Sequence, residues 1–160
     1  MTLYAIIRIR GTADLHPDLE KTLHLLRLRR RYVAAIYHSS LPGIRDMMRK
    51  VEPWATYGEI EVGTLEKLLR VRGRLEGDKP ITDEWVSSVL GLEGGVGELA
   101  EKLVAGEIHY HRLADKGVKP FFRLHPPRGG FKRSIKRPYG DGGELGYRGV
   151  AINDLITRML

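Results

Sequence analysis

Between Leu3 and Val62 the apolar spacing changes period four times, which restricts the opening of the chain to a small β-α-β-α-β unit. Leu3, Ala5, Ile7 and Ile9 alternate with Tyr4, Ile6, Arg8 and Arg10, as on a strand with two distinct faces. Pro17 suits a first helical position, and Asp18 and Glu20 favour the positive end of the helix dipole. Leu19, Leu23 and Leu26 then recur at helical spacing, predicting a helix from about Pro17 to Arg29. The run Tyr32 to His38 is a second strand. Pro42 opens a short helix carrying Ile44, Met47, Met48 and Val51, and Pro53 stops it. Ala55 to Val62 reads as a third strand.

Beyond this unit the pattern turns helical. Thr64 is a plausible N-cap for a helix through Leu65, Leu68 and Leu69 that stops at Gly73. Thr82 caps a helix over Asp83 to Leu90, ended by Gly91, and Val96 to Ala105 forms another, ended by Gly106. Gly140 to Gly149 reads as loop, and residues 150–160 as an amphipathic helix with Ile152, Leu155, Ile156 and Met159 on one side. The expected class is α+β. A small β-α-β-α-β sandwich core, a ferredoxin-like half, occupies residues 1–62. An extension over residues 63–160 holds helices at 64–105, a basic Pro/Gly-rich arm at 116–143 and the C-terminal helix at 150–160.

Charge is segregated along this plan. Residues 1–72 carry 13 Lys/Arg against 8 Asp/Glu, residues 73–115 carry 4 against 9, and residues 116–160 carry 10 against 3. A polyanion should therefore meet the first and third segments, and the acidic middle should face solvent or another protein. Lys116 to Tyr139 is the densest stretch, with eight cations, no Asp or Glu, and the rings of Phe121, Phe122, Phe131 and Tyr139 among them. A solvated loop has no need of such rings, whereas a surface that grips phosphates and stacks on bases does. Arg27, Arg29, Arg30 and Arg31 form a second cluster, larger than capping the preceding helix requires. The chain holds 18 Arg against 9 Lys, and the planar guanidinium binds phosphate bidentately and stacks on bases. No helix-turn-helix, zinc finger or RNA-recognition signature is present, so DNA is not the expected target; a folded RNA shape is.

Catalytic chemistry finds little support. There is no Cys, and no P-loop, dinucleotide fingerprint or nucleophile elbow. His109 and His111 could share one side of a strand, but no acidic cluster accompanies them, so neither metal nor cofactor is expected. Glu59 and Glu61 are read as a solvated strand face. With no apolar run long enough to span a bilayer and no leader pattern, the expectation is a cytoplasmic protein that does not touch membranes.

The ordered motifs Ile7-Arg8-Ile9-Arg10-Gly11, Leu25-Leu26-Arg27-Leu28-Arg29, Val51-Glu52-Pro53-Trp54-Ala55-Thr56-Tyr57-Gly58 and Leu68-Leu69-Arg70-Val71-Arg72-Gly73 are familiar together. So are Ile81-Thr82-Asp83, Pro126-Pro127-Arg128-Gly129-Gly130-Phe131-Lys132 and the ending from Ile152 to Met159. Over nearly its whole length the chain resembles the ribosomal protein L-thirty family of the large subunit, in the longer archaeal form homologous to the eukaryotic L-seven protein. The resemblance implies a non-catalytic protein embedded in large-subunit rRNA, associated with the region near 5S rRNA, and beside other ribosomal proteins. It further implies RNA contacts at Arg8, Arg10, Arg27, Arg29, Arg30, Arg31, Arg45 and Arg49, and at Arg70, Arg72, Gly73 and Arg74. In the arm it implies contacts at Arg123, His125, Arg128, Gly129, Gly130, Phe131, Lys132, Arg133, Lys136 and Arg137. Trp54 and Tyr57 could cover RNA or pack in the core. The alternative function is a free-standing RNA-binding regulator or RNA chaperone.

Overall fold

The computed structural model describes residues 2–160. β1 (Leu3–Arg8), α1 (Pro17–Leu25), β2 (Val33–His38), α2 (Ile44–Lys50) and β3 (Ala55–Glu59) follow in the expected order. β1 lies between β2 and β3 and runs antiparallel to both, so α2 is the crossover of a split β-α-β arrangement. The alternation along these strands decides what each face meets. On one face Tyr4, Ile6, Ala35, Tyr37 and Tyr57 pack under Leu23 and Leu26 beside α1 and under Ile44 and Met48 of α2.

The opposite face carries Leu3, Ala5, Ile7, Ala34 and Ile36, all buried. Its cover comes from the second part of the chain: α3 (Val62–Arg72), α4 (Asp83–Leu90), α5 (Gly95–Ala105) and α6 (Ile152–Met159). Leu65, Leu68, Leu99, Leu103, Ile152 and Ile156 are completely enclosed there. The sheet is thus the middle of three layers. Caps mark the helices of this cover. The Thr82 hydroxyl accepts from the Trp85 amide at 3.1 Å, and Gly91 and Gly106 end their helices at φ of 71° and 82°.

The sheet also has more strands than expected. β4 (Phe122–Arg123) joins the outer edge of β2, and β6 (Gly143–Tyr147) pairs parallel with β3. β5 (Ser134–Pro138) lies outside β6 with irregular pairing, giving the order β4-β2-β1-β3-β6-β5. The segment from Gly140 to Gly149 is therefore not loop alone. Its glycines suggest a turn, but what holds it is a buried polar cluster. Arg148 pairs with Glu144 at 2.7 Å and donates to the Thr56 hydroxyl at 2.7 Å, and that hydroxyl donates to the Gly146 carbonyl at 2.8 Å. Each polar group finds a partner, which is the condition for burying them. A Cβ on Gly143 would overlap the Arg137 carbonyl, so the glycine there serves close approach of β5.

Two boundaries differ from the periodic reading. α1 stops at Leu25 rather than Arg29, because Arg27 turns left-handed at φ 67° and sends Leu28 into the core. α3 starts at Val62, ahead of Thr64, where the Asn153 side chain from α6 accepts from the Glu61 amide at 2.8 Å.

Candidate nucleic-acid interface

The left-handed turn at Arg27 creates the first part of the interface. With Leu28 enclosed, Arg27, Arg29, Arg30 and Arg31 all stand exposed in the loop entering β2. Two buried donors hold that loop. The Tyr37 hydroxyl donates to the Leu26 carbonyl at 2.7 Å, and its burial pushes the phenol up to about 12, so it stays a protonated donor. Arg8 is only 1% exposed. Its guanidinium donates to the carbonyls of Leu28 at 3.0 Å, Arg10 at 2.9 Å and Gly11 at 3.1 Å. Arg8 is thus an internal brace for the arginine loop and the Arg10–Gly11 turn, with almost no surface left to meet a ligand. Sequence alone could not separate it from its exposed neighbours, since alternation places it beside Arg10 on the same face.

Arg10 lies half-buried with its guanidinium 4.1 Å from the centroid of the Trp54 ring. Trp54 itself is buried and donates to the Gly11 carbonyl at 2.8 Å. Tyr57 is also buried, with its hydroxyl on Glu52 at 2.6 Å. Both rings pack into the core on the α1/α2 side of the sheet. Arg49, Lys50 and Arg10 line a cleft of ≈ 330 Å³ whose other wall is Lys136 and Pro138 of β5. Arg45 stands exposed on α2, outside that cleft.

On the other side of the arginine loop lies β4. Arg27, Arg29, Arg30 and Arg31 form one wall of a cleft of ≈ 600 Å³, with Phe121, Arg123 and Leu124 opposite. Phe121 and Arg123 also face a second cleft of ≈ 250 Å³ bounded by Arg72, Arg74, Lys119 and Asp78. Asp78 is the one acid lining this smaller cleft; the ammonium of Lys119 holds its carboxyl below the usual range, with smaller help from Arg123 and Arg74. Lys119 and Lys50, absent from the residues implied by the resemblance, also belong to the clefts; Lys119 falls in the basic stretch Lys116 to Tyr139, and Lys50 follows Arg49 on α2.

These groups share a cause. β1 ends, and β2 and β3 begin, at the same end of the sheet, where β4 also ends, so the turn after β1, the arginine loop and Arg123 bring cations to one rim. The rim runs from Lys136 through Arg49, Arg10 and the arginine loop to Arg123, Lys119 and Arg74.

The other implied residues differ in how far they are already engaged within the chain. Arg70 bridges Glu66 at 3.0 Å and Asp83 at 3.2 Å, tying α3 to α4, and its charge is matched locally. Arg72 is half-buried and donates to the Leu160 carbonyl at 2.9 Å. Gly73 is buried, and a Cβ there would overlap the Leu69 carbonyl and Ile81, so it serves packing. Arg74 lies half-buried against the carbonyls of Val71 and Gly73. In the arm, the amides of His125 and Arg128 donate to the carbonyls of Met159 at 2.9 Å and Arg158 at 3.0 Å. This pins the segment to the end of α6. Gly129 and Gly130 make an exposed turn at φ of 77° and 74°. Phe131 stacks on Tyr32 with ring centroids 6.3 Å apart. Lys132, Arg133, Lys136 and Arg137 are exposed, Arg133 over the Tyr139 ring at 5.2 Å.

His109 and His111 do not add to the positive face. His111 lies in a 3₁₀ turn (Tyr110–Lys116) and His109 just before it, not on a strand, with rings 5.8 Å apart, and His109 is 6.2 Å from buried His38. Burial, then the nearby Arg112 and His38, lower the His109 pKa; burial, then His109, Arg112 and Arg27, lower that of His111. Both imidazoles are therefore neutral at neutral pH. Among the described residues no cluster of His, Asp and Glu could hold a metal ion. No helix there is long and apolar enough to cross a membrane.

Comparison with known proteins fits this layout. The family described as Ribosomal protein L30p/L7e matches residues 4–55, the β1-to-β3 unit that bears the arginine loop. The large ribosomal subunit protein uL30 of Aeropyrum pernix is 73% identical over 160 residues, covering all of both chains. Its counterpart in Hyperthermus butylicus is 63% identical, covering 99% of this chain and 90% of its own. That of Ignicoccus hospitalis is 56% identical, covering 99% of this chain and 98% of its own. These matches span nearly the whole chain, the arm and α6 included, so this chain belongs to the uL30 family of large ribosomal subunit proteins, in a form shared with archaea.

Proposed function

We propose that the chain is a structural, non-catalytic constituent of the large ribosomal subunit that holds folded rRNA against the basic rim of its sheet. The observation that carries this reading is the rim itself. Cations from five separate stretches of sequence converge on one end of the sheet, while the exposed acids Glu84, Glu93, Glu101 and Glu107 sit on or just after α4 and α5. A protein with one polycationic rim and no residue set for bond chemistry is suited to neutralising a fixed array of phosphates. Its partners on this reading are large-subunit rRNA, in the neighbourhood of 5S rRNA that the family resemblance implies, and neighbouring ribosomal proteins met through the acidic 73–115 segment. Residues 63–160 act as an extension that both covers the sheet and supplies part of the rim.

The protein should co-sediment with large subunits from cell extract and stay with them through a high-salt wash. Recovery in the unbound fraction, with RNA affinity retained, would favour a free-standing RNA-binding regulator or chaperone instead.

A further inference from the structure

Of the four rings in the basic segment, three are already engaged. Phe122 is fully buried and stacks on Tyr110 with centroids 5.0 Å apart. Phe131 lies on Tyr32, and Tyr139 is flanked by Arg133 at 5.2 Å and Arg148 at 4.8 Å. Phe121 differs. It is half-exposed, its inner side rests on the α1/α2 side of the core, and it stands where the clefts of ≈ 600 Å³ and ≈ 250 Å³ meet. The Arg123 guanidinium lies 5.7 Å from its centroid. Arg30 and Arg31 face it from one side and Arg74 and Lys119 from the other.

We propose that Phe121 is the platform for a single unstacked RNA base, with the phosphates on either side of that nucleotide held by Arg30 and Arg31 and by Arg74 and Lys119. The inference rests on the RNA reading above and specifies it. A rim of cations alone would bind any A-form backbone of the same charge. The larger cleft can admit a nucleotide, and its floor is an apolar ring instead of a polar edge, so it favours RNA with a base already out of its helix. Stacking on an aromatic ring tolerates any base, so the preference is for an extruded nucleotide and not for a sequence. Asp78 pairs with Lys119 and lies 3.9 Å from Arg123, so its charge is offset within the smaller cleft, and Arg74 remains beside it as a further cation.

The test uses the full chain and two short RNA duplexes that differ only by one central bulged nucleotide. The bulged duplex should bind roughly tenfold more tightly than the perfect one. Phe121→Leu should erase that preference while leaving the affinity and salt slope for the perfect duplex unchanged. Phe121→Trp, which keeps a stacking face, should retain the preference and shows that the site tolerates substitution. Equal affinity for the two duplexes, or a bulge preference that survives Phe121→Leu, overturns the base site and leaves the RNA reading standing. Failure to bind either duplex removes both.

Discussion

Arg29, Arg30 and Arg123 replaced together by Ala should cost roughly 100-fold in affinity for folded RNA at physiological salt, with no change in fold. The size follows from counterion release: with a slope near −0.9 per phosphate contact, each contact is worth a factor of about 5 at that salt concentration. The same three substitutions should flatten the dependence of affinity on salt by roughly 2 to 3 units of slope. The melting temperature should barely move, because all three side chains are exposed and surface substitutions of this kind change stability by about 0.5 kcal/mol or less. Binding measured across a salt series, with thermal melts alongside, checks both halves. An unchanged salt slope would mean that the rim is not where phosphates sit.

A fragment of residues 1–62 should fail to fold as a soluble monomer. It would keep β1, β2, β3, α1 and α2, yet expose the sheet face that carries Leu3, Ala5, Ile7, Ala34 and Ile36. Leaving Leu3, Ile7 and Ile36 uncovered forfeits about 1.5–3 kcal/mol each, which is comparable with the whole stability of an ordinary domain. The fragment also loses the strands that pair with β2 and β3, opening two edges. Size-exclusion chromatography and amide dispersion by NMR would show aggregation or an unfolded chain. A cooperatively melting, monomeric fragment would mean that residues 63–160 are an appendage rather than the second half of the core.

Most of the helical skeleton was legible because it follows from short-range rules. The Thr82 cap, the Gly91 and Gly106 stops and the stripe Ile152, Leu155, Ile156, Met159 appear in the structure as local chemistry places them. β6 was hidden, since its stability comes from Arg148 reaching Glu144 and Thr56, a partnership spanning 92 positions in its longer leg. The end of α1 was hidden for a related reason. Leu26 and Leu28 both bury, and one helix cannot point both inward, so the chain breaks at Arg27. That break is what exposes the arginine loop. Composition located the cations but could not sort them. Arg8 braces, Arg70 bridges two helices, and only the arrangement of strand ends brings Arg10, Arg30, Arg123 and Lys136 onto one rim.

This rim, and not the acidic helical side, is the surface expected to face rRNA. The most direct measurement is protein–RNA crosslinking in intact large subunits, with crosslinked peptides and nucleotides both identified. Crosslinks should concentrate in the peptides containing Arg10, Arg29 to Arg31, Lys119 to Arg123 and Lys132 to Arg137, and should be scarce from Asp83 to Ala105. Crosslinks spread evenly over both sides, or concentrated on α4 and α5, would contradict it.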